Sequence, residues 1–179
     1  MIRGSKEYFQ KNGLPKLMEE LGTKSPMSVP RLKKVTLNMG LGEAKNNKNL
    51  VTEGLKSLTL VAGQKAVPTA AKIAIAGFKI REGLQIGAMT TLRRERMYSF
   101  ISRLVNVYLP RVKDFHGLNP KSFDGRGNYS IGINDPRVFP ELGAQSQVRG
   151  LSITFVTASG SDQKSLKMLE HLGLPFAKK

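Results

Sequence analysis

The chain contains no cysteine and no tryptophan, and only two histidines. Without cysteine there is no disulfide framework, no thiolate metal site and no thiol nucleophile. Two histidines and four tyrosines leave few groups for acid–base chemistry. Acidic residues are scarce: 13 Asp and Glu face 29 Lys and Arg, a formal net charge of +16. Long apolar runs are missing too. The longest weakly apolar stretch, Ala66 to Met89, is interrupted by Lys72, Lys79, Arg81 and Glu82, so no membrane span is expected. The N-terminal MIRGSKEYFQ lacks the apolar core of a signal peptide. The expected setting is therefore soluble and reducing, either cytoplasm or an organelle interior reached after loss of a transit peptide.

What is present is basic charge, unevenly spread. Residues 1–113 hold 21 basic and 7 acidic side chains, while residues 114–179 hold 8 and 6. Such a balance favours polyanionic partners, nucleic acid first and anionic membrane second, and puts the binding surface in the first two-thirds of the chain. At 179 residues and 40% hydrophobic content, the chain is long enough for one domain with a real core. It shows no internal repeat and no low-complexity tract.

Periodicity gives the elements. Leu14, Leu17, Met18 and Leu21 form one helical face, with Gly22 as its stop; Gly13 and Pro15 are expected to break or kink its start. Val35, Leu37 and Met39 alternate with Lys34, Thr36 and Asn38, which predicts a half-buried strand. Leu50, Val51, Leu55, Leu58 and Ala62 make a second helical stripe ending at Gly63. A strand over 84–92 puts Leu84, Ile86, Ala88 and Leu92 on one face and Met89, Thr91 and Arg93 on the other. Met97, Phe100, Ile101, Leu104, Val105 and Tyr108 follow the helical period up to Pro110. Residues 114–128 read as a long loop, Tyr129 to Ile133 and Leu151 to Phe155 as strands. Leu166, Leu169 and Leu172 predict a closing helix capped by Ser161 and stopped by Gly173. The fold class is α+β: a largely antiparallel sheet with one open face and helices packed on the other.

That open face carries Lys34, Thr36, Asn38, Thr91 and Arg93, a mixture of cations, hydroxyls and an amide suited to phosphates, 2′-hydroxyls and base edges. An ordinary solvated sheet face would look similar, and the charge excess in residues 1–113 favours binding. Phe78, in AGFKIREG beside Lys79 and Arg81, either anchors its loop in the core or stacks on unpaired bases. The run Arg93, Arg94 and Arg96 is either solvated or grips a nucleic-acid backbone. Other chemistry fails on spacing. Gly40 and Gly42 follow a strand, but Lys45 replaces the third glycine of a dinucleotide fingerprint. Asp124, Arg126 and Asn128 mimic a calcium loop, with a cation at its third position and Tyr129 at its sixth. His116 and His171 stand 55 residues apart with no HExxH or GxSxG nearby. No catalytic residue, metal site or cofactor is expected, and the chain is not expected to be an enzyme.

Several long strings then carry a resemblance: VPRLKKVTLNMGLGEA (29–44), AGQK (62–65), AGFKIREG (76–83), IGAMTTLRRERM (86–97), LPRVKDFHGLNPKSFDGRGNYSIGI (109–133), FPEL (139–142) and RGLSITFVTAS (149–159). Together they resemble the universal large-subunit ribosomal protein five family, in its bacterial or organellar form, from about residue 6 to residue 177. The resemblance implies a single domain over 1–179, with an N-terminal helix (1–22) and protruding loops at 72–83 and 111–148. It implies a structural constituent of the large ribosomal subunit, in the cytoplasmic or an organellar ribosome. Such a protein binds 5S rRNA on the concave face of its sheet and docks it beside 23S rRNA in the central protuberance. It also reaches the P-site tRNA and bridges to small-subunit protein thirteen among neighbouring ribosomal proteins. No membrane and no small-molecule substrate is implied.

Carried over by position, the implied 5S rRNA contacts are Asn38, Gln64 and Thr91, with Arg31, Lys33, Lys65 and Arg93 beside them. The tRNA-facing loop falls on Lys72, Phe78, Lys79 and Arg81, and the bridge region on Arg111, Lys113 and His116 and on residues 134–148. The sequence departs from the family pattern at Ala70, Ala71, Lys72 and Ile73, where relatives carry more cations. It departs at Arg94, where glycine is common, at Asp135–Pro136, and at the uncharged GAQSQV of 143–148. The resemblance thus implies a weakened tRNA contact and a bridge in doubt. Composition by itself also admits a nonspecific RNA chaperone or nucleoid-type protein, and, far less readily, an enzyme acting on RNA.

Overall fold

The computed structural model describes residues 3–42, 48–135, 138–142 and 150–177. Five strands form one antiparallel sheet: β1 (Leu32–Gly40), β2 (Val67–Ala70), β3 (Gln85–Leu92), β4 (Tyr129–Ile133) and β5 (Leu151–Thr157). Their order across the sheet is β2-β3-β1-β5-β4. The helices are α1 (Lys6–Tyr8), α2 (Leu14–Glu20), α3 (Lys48–Ala62), α4 (Arg94–Arg103) and α5 (Asp162–Leu172). This is the expected α+β class with an open sheet. The alternation in β1 appears as read: Val35, Leu37 and Met39 are buried, Lys34 and Thr36 half-buried and Asn38 exposed. Among the described residues, no helix is long and apolar enough to cross a membrane.

The chain divides into two compact units, one of Met1–Val35, Arg93–Ile131 and Thr154–Lys179, the other of Thr36–Leu92 and Gly132–Ile153. In the first, Ser5 accepts a hydrogen bond from the Tyr8 N–H and starts α1. The expected break at Gly13 and Pro15 does not occur. The chain stays helical through a π-turn over Phe9–Gly13, in which the Leu14 N–H reaches back to the Phe9 carbonyl. Glycine is required there: a Cβ on Gly13 would lie 2.8 Å from the Phe9 ring and 3.2 Å from the His171 carbonyl. The helix stops at Gly22 (φ +62°), with the Thr23 N–H bonded to the Met18 carbonyl. α2 packs on α5, where His171 Nε2 lies 3.0 Å from Glu20 Oε1. The stripe on α4 is buried as expected, and the chain leaves it through a π-turn at Leu104–Tyr108 and a 3-10 turn at Leu109–Arg111.

The cap of α5 is a correction. Ser161 occupies the N-cap position, but its side chain makes no capping bond. The next residue is engaged elsewhere. The Asp162 carboxylate is turned toward residues 125–127, accepting from the Gly125 N–H (3.1 Å) and the Gly127 N–H (2.7 Å). Thr157 Oγ1 donates to the Gly127 carbonyl at 2.8 Å and meets Ser165 Oγ at 2.9 Å, while Ser159 Oγ bonds Ser165 Oγ. Asp124 accepts from the Arg126 and Asn128 amides. The Asn128 side-chain amide, the largest cause, and the Arg126 amide hold its carboxyl below the usual value. Residues 122–128 thus form an irregular loop held by these bonds. Beneath it Tyr129 packs on Phe123 (4.7 Å), Phe176 (5.2 Å) and Phe155 (6.4 Å). Its hydroxyl donates to the Asn119 carbonyl, and burial pushes that hydroxyl up to about 12.

In the second unit α3 packs on β2 and β3. Val51, Leu58, Val61 and Ala62 are buried on its inner side, and Gly63 (φ +66°) ends it. Thr59 Oγ1 donates to the Leu55 carbonyl and accepts from the Ala66 N–H, so the turn carrying Gln64 and Lys65 is tied to the helix. β2 pairs antiparallel with β3, Val67 opposite Met89 and Thr69 opposite Gly87. Sequence periodicity does not reveal β2. It is four residues long, contains Pro68, and lies at the sheet edge, where a missing N–H is tolerated.

Candidate nucleic-acid interface

In the second unit, three strands arranged β2-β3-β1 present one face to α3 and the other to solvent. Because side chains alternate, burial of Leu37 and Met39 on β1 and of Ala88, Thr90 and Leu92 on β3 turns the intervening residues outward. Asn38 is exposed, Met89 is 39% exposed, and Thr36 and Thr91 are half-buried. Gln64 joins this group from the turn after α3. Its Nε2 donates to the Thr91 carbonyl at 3.1 Å, across 27 residues of sequence. Lys65, next to it, is exposed. Asn38, Gln64, Lys65 and Thr91 therefore lie on or beside the solvent side of one small sheet. β2 adds Val67, 61% exposed, and Thr69. The face offers two amides, hydroxyls, one ammonium and two apolar side chains. That combination can hydrogen-bond sugar and base edges and cover apolar base surface.

The loop following β2 is an ordered projection. The Ala71 N–H bonds the Leu84 carbonyl and the Gly83 N–H bonds the Ala71 carbonyl, closing its base. Ile75 and Ile80 exchange two backbone bonds near its tip, around a 3-10 turn at Ala76–Phe78. Lys79 closes that turn in the left-handed region (φ +53°). Phe78 does not anchor the loop in the core: it is 64% exposed, with Ile73 at 73% and Ile75 at 46%. Lys72, Lys79 and Arg81 are exposed on the same projection. An aromatic ring, aliphatic side chains and three cations on one projection can stack and pair with a nucleic acid.

In the first unit, Arg31 precedes β1, Lys33 lies on it, and Arg93 sits just before α4; all three are exposed. An open groove of about 970 Å³ is lined by Lys33 and Arg93 together with Lys6, Arg94 and Arg96, with Glu95 its one acid. Tyr98 also lines it; burial raises its hydroxyl, and the Arg31 guanidinium offsets this in part. Arg111, Lys113 and His116 are exposed along a segment fixed at its far end by Leu118, whose N–H bonds the Pro175 carbonyl. Of residues 134–148, positions 136–137 and 143–148 lie outside the described residues, as do Lys45 and Arg149.

The family model described as Ribosomal protein L5 matches residues 25–81, and the model for the C-terminal part of the same ribosomal family matches residues 85–176. The chain belongs to the ribosomal protein L5 family. It is 52% identical over 174 residues to "Large ribosomal subunit protein uL5" of Desulfatibacillum aliphaticivorans, covering 96% of this chain and 97% of the relative. A protein of the same name from Alkaliphilus metalliredigens is 48% identical over 97% of this chain and 98% of its own length. That of Synechocystis sp. is 48% identical over 98% of this chain and 99% of its own length. Members of the L5 family are structural components of the large ribosomal subunit, not enzymes, and are found with the ribosome.

For this L5 family member, two parts of the surface escape sequence reasoning. Val67 and Thr69 reach the sheet face through β2, a strand too short to show a period. Lys6 joins the groove of Arg93, Arg94 and Arg96 from the far N-terminus, and no local pattern links residues so distant in sequence.

Proposed function

We propose that this chain binds 5S rRNA within the large ribosomal subunit and anchors it beside 23S rRNA. Asn38, Gln64 and Thr91 make the specific contacts, and Arg31, Lys33, Lys65 and Arg93 neutralise the flanking phosphates. The loop of Lys72, Phe78, Lys79 and Arg81 reaches the P-site tRNA. The segment of Arg111, Lys113 and His116 faces small-subunit protein thirteen. The observation that supports this reading is the Gln64–Thr91 hydrogen bond, which draws a turn and a strand together on the face bearing Asn38. Polar groups held this way are preorganised for recognition rather than left to rotate in solvent.

The test is binding of the purified chain to its own 5S rRNA and to a length-matched tRNA across a salt series. Specific binding should exceed binding to the tRNA by roughly a hundredfold at physiological salt, and affinity should fall log-linearly with salt. Equal affinity for both RNAs would leave a basic surface without recognition, the behaviour of a nonspecific RNA chaperone.

A further inference from the structure

We propose that Arg94 clamps an RNA phosphate in the groove of the first unit, and that its strained backbone is retained for that contact. The inference rests on the reading that the chain binds RNA, but not on which RNA. Among the described residues, five cations, Lys6, Lys33, Arg93, Arg94 and Arg96, line this groove with one acid, Glu95. Like charges gathered in one open groove repel each other in the free protein. Three of them stand in or next to the first turn of α4, where the helix dipole opposes cations.

Arg94 adds a local cost. It adopts φ +51°, a left-handed conformation that disfavours a side chain with a Cβ. Yet its side chain is exposed, so burial in the core offers no return. Strain of this kind, at an exposed residue lining a binding groove, is a mark of function rather than of folding. The groove is open, and its lining mixes charged groups with Leu32, Met97 and the aliphatic stems of long side chains. Its charge and form suit a phosphodiester backbone, held by guanidinium forks without reading bases.

Arg94→Gly tests this directly, because it removes the charge and relieves the left-handed strain together. The melting temperature of the Arg94→Gly chain should match or exceed that of the parent. Its affinity should fall roughly five- to tenfold at about 0.1 M salt, and its salt slope should drop by about 0.7–0.9, the signature of one phosphate no longer neutralised. The drop should be the same on 5S rRNA and on a length-matched unrelated RNA. Arg94→Lys, which keeps both charge and strain, should retain the parent slope. An unchanged slope for Arg94→Gly on both RNAs overturns the proposal, as does a clearly lowered melting temperature, which would make Arg94 a folding residue. A parent chain with no preference for 5S rRNA would sink the specific-binding reading, while a reduced slope in Arg94→Gly would still establish the clamp.

Discussion

Three residues other than glycine adopt positive φ among the described residues: Lys79, Arg94 and Asp114. Each is exposed, and each lies in a segment singled out for binding. Left-handed backbone costs a residue with a Cβ about 1–2 kcal/mol, less for Asp. Core packing does not explain these positions, since none is buried. Asn38 makes the contrasting case, an unstrained strand residue whose amide is presented by the pleat. Truncating it removes no buried contact, so Asn38→Ala should change stability by no more than about 0.5 kcal/mol. If Asn38 reads RNA, the same change should weaken 5S rRNA binding by about 1–3 kcal/mol. Filter binding alongside thermal melting separates the two effects. Unchanged affinity would remove Asn38 from the recognition set.

Elements with a strong period were legible in the sequence; those set by distant partners were not. β1 and α4 follow their alternation and stripe because solvent and core face them from opposite sides. The closing helix shows a partial match: Leu169 and Leu172 are buried with Ser165 and Met168, whereas Leu166 is half-buried. Its expected cap at Ser161 makes no bond, while the next residue, Asp162, is engaged by amides some 35 residues away. The candidate site divides likewise. Asn38 and Thr91 follow from strand alternation, but Gln64 and Lys6 arrive through tertiary contacts. The loop clamped by Asp162 is the element where this long-range bonding matters most. A Cβ on Gly127 (φ +86°) would lie 2.5 Å from Ser159 Oγ and 2.7 Å from Ser165 Oγ. Gly127→Ala should therefore cost about 2–4 kcal/mol, readable as a lowered denaturant midpoint. The strand following that loop begins with Tyr129, whose hydroxyl burial pushes up from 10.0 to about 12. A folded-state value raised above the unfolded one stabilises fully below pH 10.0 and is lost as pH rises through about 12. Alkaline unfolding should thus accompany a tyrosinate absorbance step near pH 12, and Tyr129→Phe should delete that step. A Tyr129 that ionises near the ordinary value of 10.0 would contradict its burial.

At the scale of the whole molecule, a net charge of +16 makes stability and function respond to salt in opposite directions. Attractive pairs such as Lys167–Glu20 (3.7 Å) are exposed and contribute at most about 1 kcal/mol each. Repulsion among the cations of residues 1–113 is the larger long-range effect in the free chain, because 21 bases there face only 7 acids. Screening shortens to roughly 3 Å at 1 M salt, so added salt should relieve that repulsion and raise the melting temperature of the free protein. The complex should behave in reverse. RNA phosphates supply the missing negative charge, and salt returns the released counterions to compete with them. A melting series from about 0.05 to 0.5 M NaCl, with and without 5S rRNA, checks both arms in one experiment. The two curves should start far apart at low salt, with the complex higher, and converge as salt increases. A free-chain melting temperature that falls with salt would mean that ion pairs outweigh repulsion. The basic excess would then be a structural feature of the fold and not a surface held in readiness for RNA.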